Sequence, residues 1–171
     1  MISDEMNIKE LFTQLDKTTS EFLNLASSFG EEEINVRPAE NRWSAAQVAD
    51  HVTRSNFSIV KALQLKGTPI NRDPAERVEE LKEVFLNFET KLKSPSFILP
   101  TQNSYEKNTL IARLQHSIEK IKELSEETDL SEMINHVAFG DITKLEILHF
   151  VTYHTLRHTR QLKNILESIS K

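Results

Sequence analysis

The sequence predicts an all-α protein, a bundle of four or five helices. Apolar residues recur at three-and-four spacing over long stretches, which is the period of a helix with one buried face. Glycine and proline are scarce, three and five in 171 residues, and they fall between those stretches instead of interrupting them. Hydrophobic residues make up 38% and charged residues 27%, the balance of an ordinary folded protein. The length suits one domain, residues 1–171, burying roughly 70% of the surface of the unfolded chain.

The first helix is expected to start at Ser3 or Asp4, either of which can cap it, and to bury Ile8, Leu11, Phe12, Leu15, Phe22, Leu25 and Ala26. Gly30 suits the left-handed position after its last turn. The acidic run Glu31–Glu33 and the stretch to Pro38 read as a loop. Ser44 with Gln47 three residues later has the spacing of a capping box and opens the second helix. Its inner stripe is Val48, His51, Val52, Ser55, Ile59, Ala62 and Leu63, and Gly67–Pro69 ends it.

Asp73 and Pro74 signal a third helix carrying Val78, Leu81, Phe85, Phe88 and Leu92 inward until Ser94–Pro95 stops it. Ser96–Asn103 reads as an irregular connection. Thr109 can cap a further helix that buries Leu110, Leu114, Ile118, Ile121 and Leu124, with Glu123–Asp129 as its solvated end. Leu130–Gly140 is a short separating segment. The last helix starts near Asp141 or Thr143, where Thr143 and Glu146 again have capping-box spacing, and runs to about Ser168.

The chain contains no cysteine, so disulfides, thiolate metal ligands and a cysteine nucleophile are excluded. A metal would have to be held by His, Asp or Glu. A net charge of −5 argues against nucleic acid, whose partners display a basic face. Met1–Glu5 is acidic and lacks the basic start of a signal peptide, and no run approaches the ~20 apolar residues of a membrane span. The expectation is a cytoplasmic protein that does not engage membranes.

His154 and His158, four apart on the last helix, project from one side one turn apart. They share the inward stripe of Ile147, Val151, Gln161 and Ile165. His51 lies on the inward stripe of the second helix. Spacing leaves two readings open. The three imidazoles share a divalent ion such as zinc, nickel or iron, or they are hydrogen-bonded core residues that met this spacing by chance.

Around these histidines the chain resembles the DinB-like, damage-inducible superfamily. Trp43–His51 is similar to that family's "W-S-x-x-x-[IV]-x-x-H" segment, and His136–Thr143 to its "H-x-x-F-G-x-[IL]-T" segment. His154–Leu162 resembles its "H-x-x-R-H-x-x-Q-[IL]" segment, and the three occur in family order. The resemblance implies a DinB-like four-helix bundle, up-down-down-up, with long connections and one or more short extra helices. It implies that His51, His154 and His158 are the metal ligands and that the protein is a homodimer. Some members transfer low-molecular-weight thiols to electrophiles, so the resemblance implies a metal-dependent thiol transferase or hydrolase acting on a small-molecule substrate. A non-catalytic metal-binding or structural bundle, working through dimerisation or a partner, is the alternative.

Other side chains have simpler expected roles. Gln161 either touches a metal-bound group or makes a buried hydrogen bond; Arg157 pairs with an acid on a neighbouring helix or binds a substrate carboxylate. Asp50 is expected to be solvated or paired with Arg54, Tyr153 to pack, and His116 and His149 to lie at the surface or an edge. His136 is expected to fix the turn before the last helix, and Trp43 to anchor the start of the second.

Overall fold

A computed structural model describes residues 4–170, with side chains from Asn7 onward. It contains helices α1 (Asp4–Ser28), α2 (Ala45–Gln64), α3 (Val78–Phe85) and α4 (Lys107–Glu127), strands β1 (Met133–His136) and β2 (Gly140–Thr143), and helix α5 (Lys144–Ile169). Short 3₁₀ turns lie at Glu33–Asn35 and Ser96–Ile98. A Ser3 cap lies outside the described residues. Among the described residues no helix is long and apolar enough to cross a membrane.

Contacts between side chains give the direction of each long helix. Asp50 near the start of α2 meets Tyr105 just before α4, and Asn56 meets Ser117, so these two run the same way. Glu21 meets Lys163, late in α1 and late in α5, so this pair is also parallel. Asp16 meets Lys122 whereas Glu31 meets Lys107, which opposes α1 to α4. The order is therefore up, down, down, up, and the parallel step from α2 to α4 needs the long connection that carries α3.

Both expected capping boxes are formed. Ser44 Oγ accepts the Gln47 N–H while Gln47 Oε1 accepts the Ser44 N–H; Thr143 and Glu146 do the same for α5. Each box satisfies two backbone donors that a helix start would otherwise strand.

Several elements differ from the expectation. Gly30 is not left-handed, since Gly140 alone among the described residues has a positive φ; the Ile34 N–H reaches the Gly30 carbonyl, and the Asn35 and Val36 N–H groups, bonded to the Glu32 and Glu33 carbonyls, close the 3₁₀ turn that follows. The cap of α4 is Glu106, whose carboxylate accepts from Asn108 and Thr109 N–H, and not Thr109. α3 is one short helix, and Phe88 and Leu92 are 40% and 39% exposed instead of inward. The cause is Arg157, whose guanidinium donates to the carbonyls of Phe85, Asn87 and Thr90 and so holds the chain in a non-helical course. Leu130–Gly140 contains β1, which pairs antiparallel with β2.

The hairpin turn follows from local chemistry. The Phe139 N–H bonds to the His136 carbonyl, and Gly140 follows at φ 67, a conformation that L side chains rarely adopt. On the other side, β1 meets Thr68 through paired backbone bonds. Gly67 must lack a side chain there, because a Cβ would fall 2.5 Å from the Glu132 Cβ.

Two apolar clusters fill the bundle. One holds Leu11, Leu15, Ile59, Leu63, Ile121, Ile147 and Val151; the other holds Phe22, Phe29, Val48, Val52, Leu114, Leu162 and Ile165. Between them lies a buried polar belt of Thr18, Thr19, His51, Ser55, Asn56, Ser117, Thr152, His154, Thr155, His158 and Thr159. Its threonines spend their hydroxyls largely on the preceding helical turn, as Thr19 does on the Leu15 carbonyl and Thr159 on the Thr155 carbonyl.

Glu146 ties α5 to the segment before α3. Its fully buried carboxylate accepts from the two terminal guanidinium nitrogens of Arg72 (3.1 and 2.7 Å), the Arg77 N–H (2.8 Å) and the Thr143 N–H (3.0 Å). Burial pushes its pKa up, but the bonds from Arg72, Thr143 and Arg77 outweigh that and hold it below the usual carboxylate value. Replacing Glu146 by Ala is expected to cost about 1–3 kcal/mol, because the buried Thr143 N–H loses its acceptor and the half-buried Arg72 and Arg77 lose their partner. Urea denaturation checks this, and Glu146→Gln should lose less.

Candidate metal centre

The three histidines predicted from the sequence meet in the polar belt. Their Nε2 atoms are 3.0 Å (His51–His158), 3.1 Å (His51–His154) and 3.1 Å (His154–His158) apart, and all three residues are buried. The α-helical period puts His154 and His158 one above the other on α5, and α2 brings His51 in from the opposing side.

Two of the rings have a fixed tautomer. His51 Nδ1 lies 2.9 Å from the Ile98 carbonyl, which can only accept, so Nδ1 carries the proton and Nε2 presents a lone pair. His158 Nδ1 donates to Gln161 Oε1 at 2.7 Å, which gives its Nε2 a lone pair as well. Gln161 thus orients a histidine from behind. Two lone pairs facing each other at 3.0 Å repel unless a positive species lies between them. A single proton on His154 could serve only one of its neighbours. A tetrahedral ion with bonds of about 2.0–2.1 Å sets its nitrogens roughly 3.3–3.4 Å apart, close to the observed spacing. The donor set fits one divalent ion, and among the described residues it is the group of His, Asp or Glu side chains whose ligand atoms converge in this way.

The imidazoles open onto a cavity of about 260 Å³. Its wall is largely apolar, built by Ile59, Phe85, Phe139 and Phe150, with the 3₁₀ turn at Ser96–Ile98 on another side. Phe150 stacks on His154 with ring centroids 5.0 Å apart, and Trp43 sits 5.1 Å from His51. The aromatic wall was not read from the sequence, since Phe85 and Phe150 carry the same apolar signal as the core. Nor was the Ile98 carbonyl, because a backbone acceptor leaves no residue-type signature.

The remaining candidates take structural places. Arg157 pairs with no acid among the described residues; it holds the backbone of residues 85–90, as described above. Asp50 does pair with Arg54 (3.0 Å), yet it is fully buried and not solvated. Its Oδ2 also accepts the Tyr105 hydroxyl (2.7 Å) and the Thr101 N–H (3.4 Å), which fastens the connection carrying Ile98 to the start of α2. Tyr153 packs against the core away from the cavity, stacked with the half-buried His149, and His116 is exposed. His136 does fix the hairpin turn, accepting the Ala138 N–H at Nδ1 (3.0 Å), and it also lines the cavity.

A helical bundle with three buried, converging imidazoles beside a cavity defines the class of scaffold. The chain matches the DinB superfamily over residues 14–162 and belongs to it. It is 27% identical over 156 residues to the uncharacterized protein YuaE of Bacillus subtilis (strain 168), covering 86% of this chain and 92% of that one. The fold is similar to that of YfiT from Bacillus subtilis, described as a probable metal-dependent hydrolase with an unusual four-helix bundle topology. The TM-score is 0.66 at 14% identity, over 99% of this chain and 91% of that one. It is also similar to TT2238, a four-helix bundle protein, with a TM-score of 0.55 at 18% identity over 91% of this chain and 98% of that one.

Burial disfavours the charged form of all three imidazoles. His158 is pushed down to about 3 by burial and by His51, and His154 lies well below the ordinary value for burial and for its two neighbours. His51 is lowered by burial, against the opposing pull of the Ile98 carbonyl and Asp50. In metal-free protein the unfolded chain therefore takes up protons near pH 6.5 that the folded chain refuses. Stability is expected to be full above about pH 6.5 and to fall as the pH drops towards about 3. Urea midpoints of chelator-treated protein across this range check the slope; flat midpoints would contradict the assignment of buried neutral rings.

Proposed function

We propose that the chain is a divalent-metal-dependent enzyme acting on small electrophilic molecules, with His51, His154 and His158 as the ligands. The observation that carries this reading is the convergence of three imidazole nitrogens at the wall of an apolar cavity. Three protein ligands leave a coordination position for water or substrate, as in catalytic zinc sites. Bound there, zinc, nickel or iron supplies a Lewis acid that acidifies a coordinated water or thiol and polarises an electrophile.

The chain's own residues supply the rest. The Ile98 carbonyl and Gln161 hold two rings in the tautomer that points a lone pair inward. Phe85, Phe139 and Phe150 keep bulk water away from the reacting atoms, which strengthens every charge interaction in the cavity. Hydrolysis is the leading chemistry, supported by the likeness to YfiT. Transfer of a low-molecular-weight thiol is the second, and it is separated from the first by whether turnover of an activated ester requires added thiol.

Elemental analysis of purified protein tests the metal. His158→Ala is expected to lose the ion while far-ultraviolet circular dichroism stays helical. Gln161→Ala, which frees the His158 ring, is expected to weaken metal binding about 10- to 100-fold. The reading fails if the protein carries no divalent metal and neither zinc, nickel nor iron raises its Tm. Metal without turnover of any electrophile would favour the non-catalytic bundle.

A further inference from the structure

The hairpin before α5 does more than connect two helices. Alternation along β1 turns Ile134 and His136 inward and leaves Asn135 exposed. The left-handed Gly140 then returns the chain so that Phe139 reaches Phe85 and Phe150, with His136 against it at 5.1 Å. His136 and Phe139 are thereby delivered together to the wall of the cavity that the three metal-site imidazoles also line.

His136 Nδ1 accepts the Ala138 backbone N–H, a group that can only donate. The neutral ring must then carry its proton on Nε2. Among the described residues that Nε2–H has no hydrogen-bond acceptor, and it is not among the fully buried unpaired atoms, so it faces open space. Burial lowers the pKa of the ring and so favours its neutral form. The group is an oriented donor on a largely apolar wall. Such a wall with a few placed polar groups is how small-molecule sites fix orientation.

We infer that His136 is a substrate-binding residue, its Nε2–H donating to a carbonyl, ester or amide oxygen of a molecule whose apolar body lies against Phe85, Phe139 and Phe150. Volume bounds that molecule. A dry cavity of about 150 Å³ accepts benzene, so about 260 Å³ suits one ring with a short polar arm. The inference rests on the proposal that this cavity is the substrate site, and it deepens that proposal by naming the substrate's acceptor atom and size.

The test uses two ligands of one shape, acetophenone and α-methylstyrene, which differ by a carbonyl oxygen against a methylene. Their affinities for the whole chain are measured calorimetrically with chelator present, so that no metal can hold the carbonyl. His136→Asn places an amide oxygen near the Nδ1 position and keeps the turn acceptor while removing the cavity donor. His136→Gln keeps a donor near the Nε2 position. The affinity ratio of acetophenone to α-methylstyrene should fall roughly 3- to 10-fold in His136→Asn and be retained in His136→Gln. Thermal melts confirm folding, and His136→Asn alone decides should His136→Gln not fold. An unchanged ratio in His136→Asn, or no binding of either ligand to the wild type, overturns the inference. Because the measurement is made without metal, failure of the metal reading shows instead in the elemental analysis, and the two failures are distinct.

Discussion

Three imidazole nitrogens about 3 Å apart in a buried space form an arrangement that repels itself, and much of the surrounding structure maintains it. The Ile98 carbonyl and Gln161 fix the protons of two rings on the far side, so the lone pairs have nowhere else to point. Asp50 fastens the connection that carries Ile98, and through it Tyr105 and Thr101 are tied to the first turns of α2. A core free to relax would turn these rings apart. The opposition of α2 and α5, packed by the apolar clusters on either side, holds them together.

The same division of labour runs along the bundle. Apolar residues supply the cohesion at both ends and the polar belt between them carries the chemistry. That belt is tolerable because Thr19, Thr152, Thr159 and Ser117 bond to their own helices and Asn56 bonds to Ser117, which leaves the imidazoles free to face the cavity. The third side of the site is built where α3 ends and the chain leaves the helix. Residues 85–90 are clamped by Arg157, one position before His158, so the cavity wall and a histidine of the cluster are anchored to the same turn of α5.

Much of this was legible in the sequence because it is local. Ser44 with Gln47 and Thr143 with Glu146 announce helix starts through spacing alone, and both boxes are formed. The i, i+4 pair of histidines needs only the helical period to share a face. The missed features depend on partners far along the chain. Nothing near Phe88 reveals that Arg157 will claim its neighbours' carbonyls, and nothing near Asp50 reveals that Tyr105 will bury it. The strands were missed because four residues, Met133–His136, are too few for alternation to be read against a helical background. Glu106 displaced Thr109 as a cap since either oxygen suits the role and geometry decides between them.

The spacing of the histidines along the chain has one more consequence. His51 is separated from His154 by 103 positions in a protein without cysteine. An ion shared by α2 and α5 would close a loop of that length, the topological service that a disulfide performs in other proteins. In the chain-entropy account, closure of a loop of about 100 residues removes on the order of 4–5 kcal/mol of freedom from the unfolded state. The cross-link would be made by coordination instead of oxidation, and undone by protons or chelators instead of reductants. The centre proposed for chemistry would then double as the clasp that joins the second helix to the last.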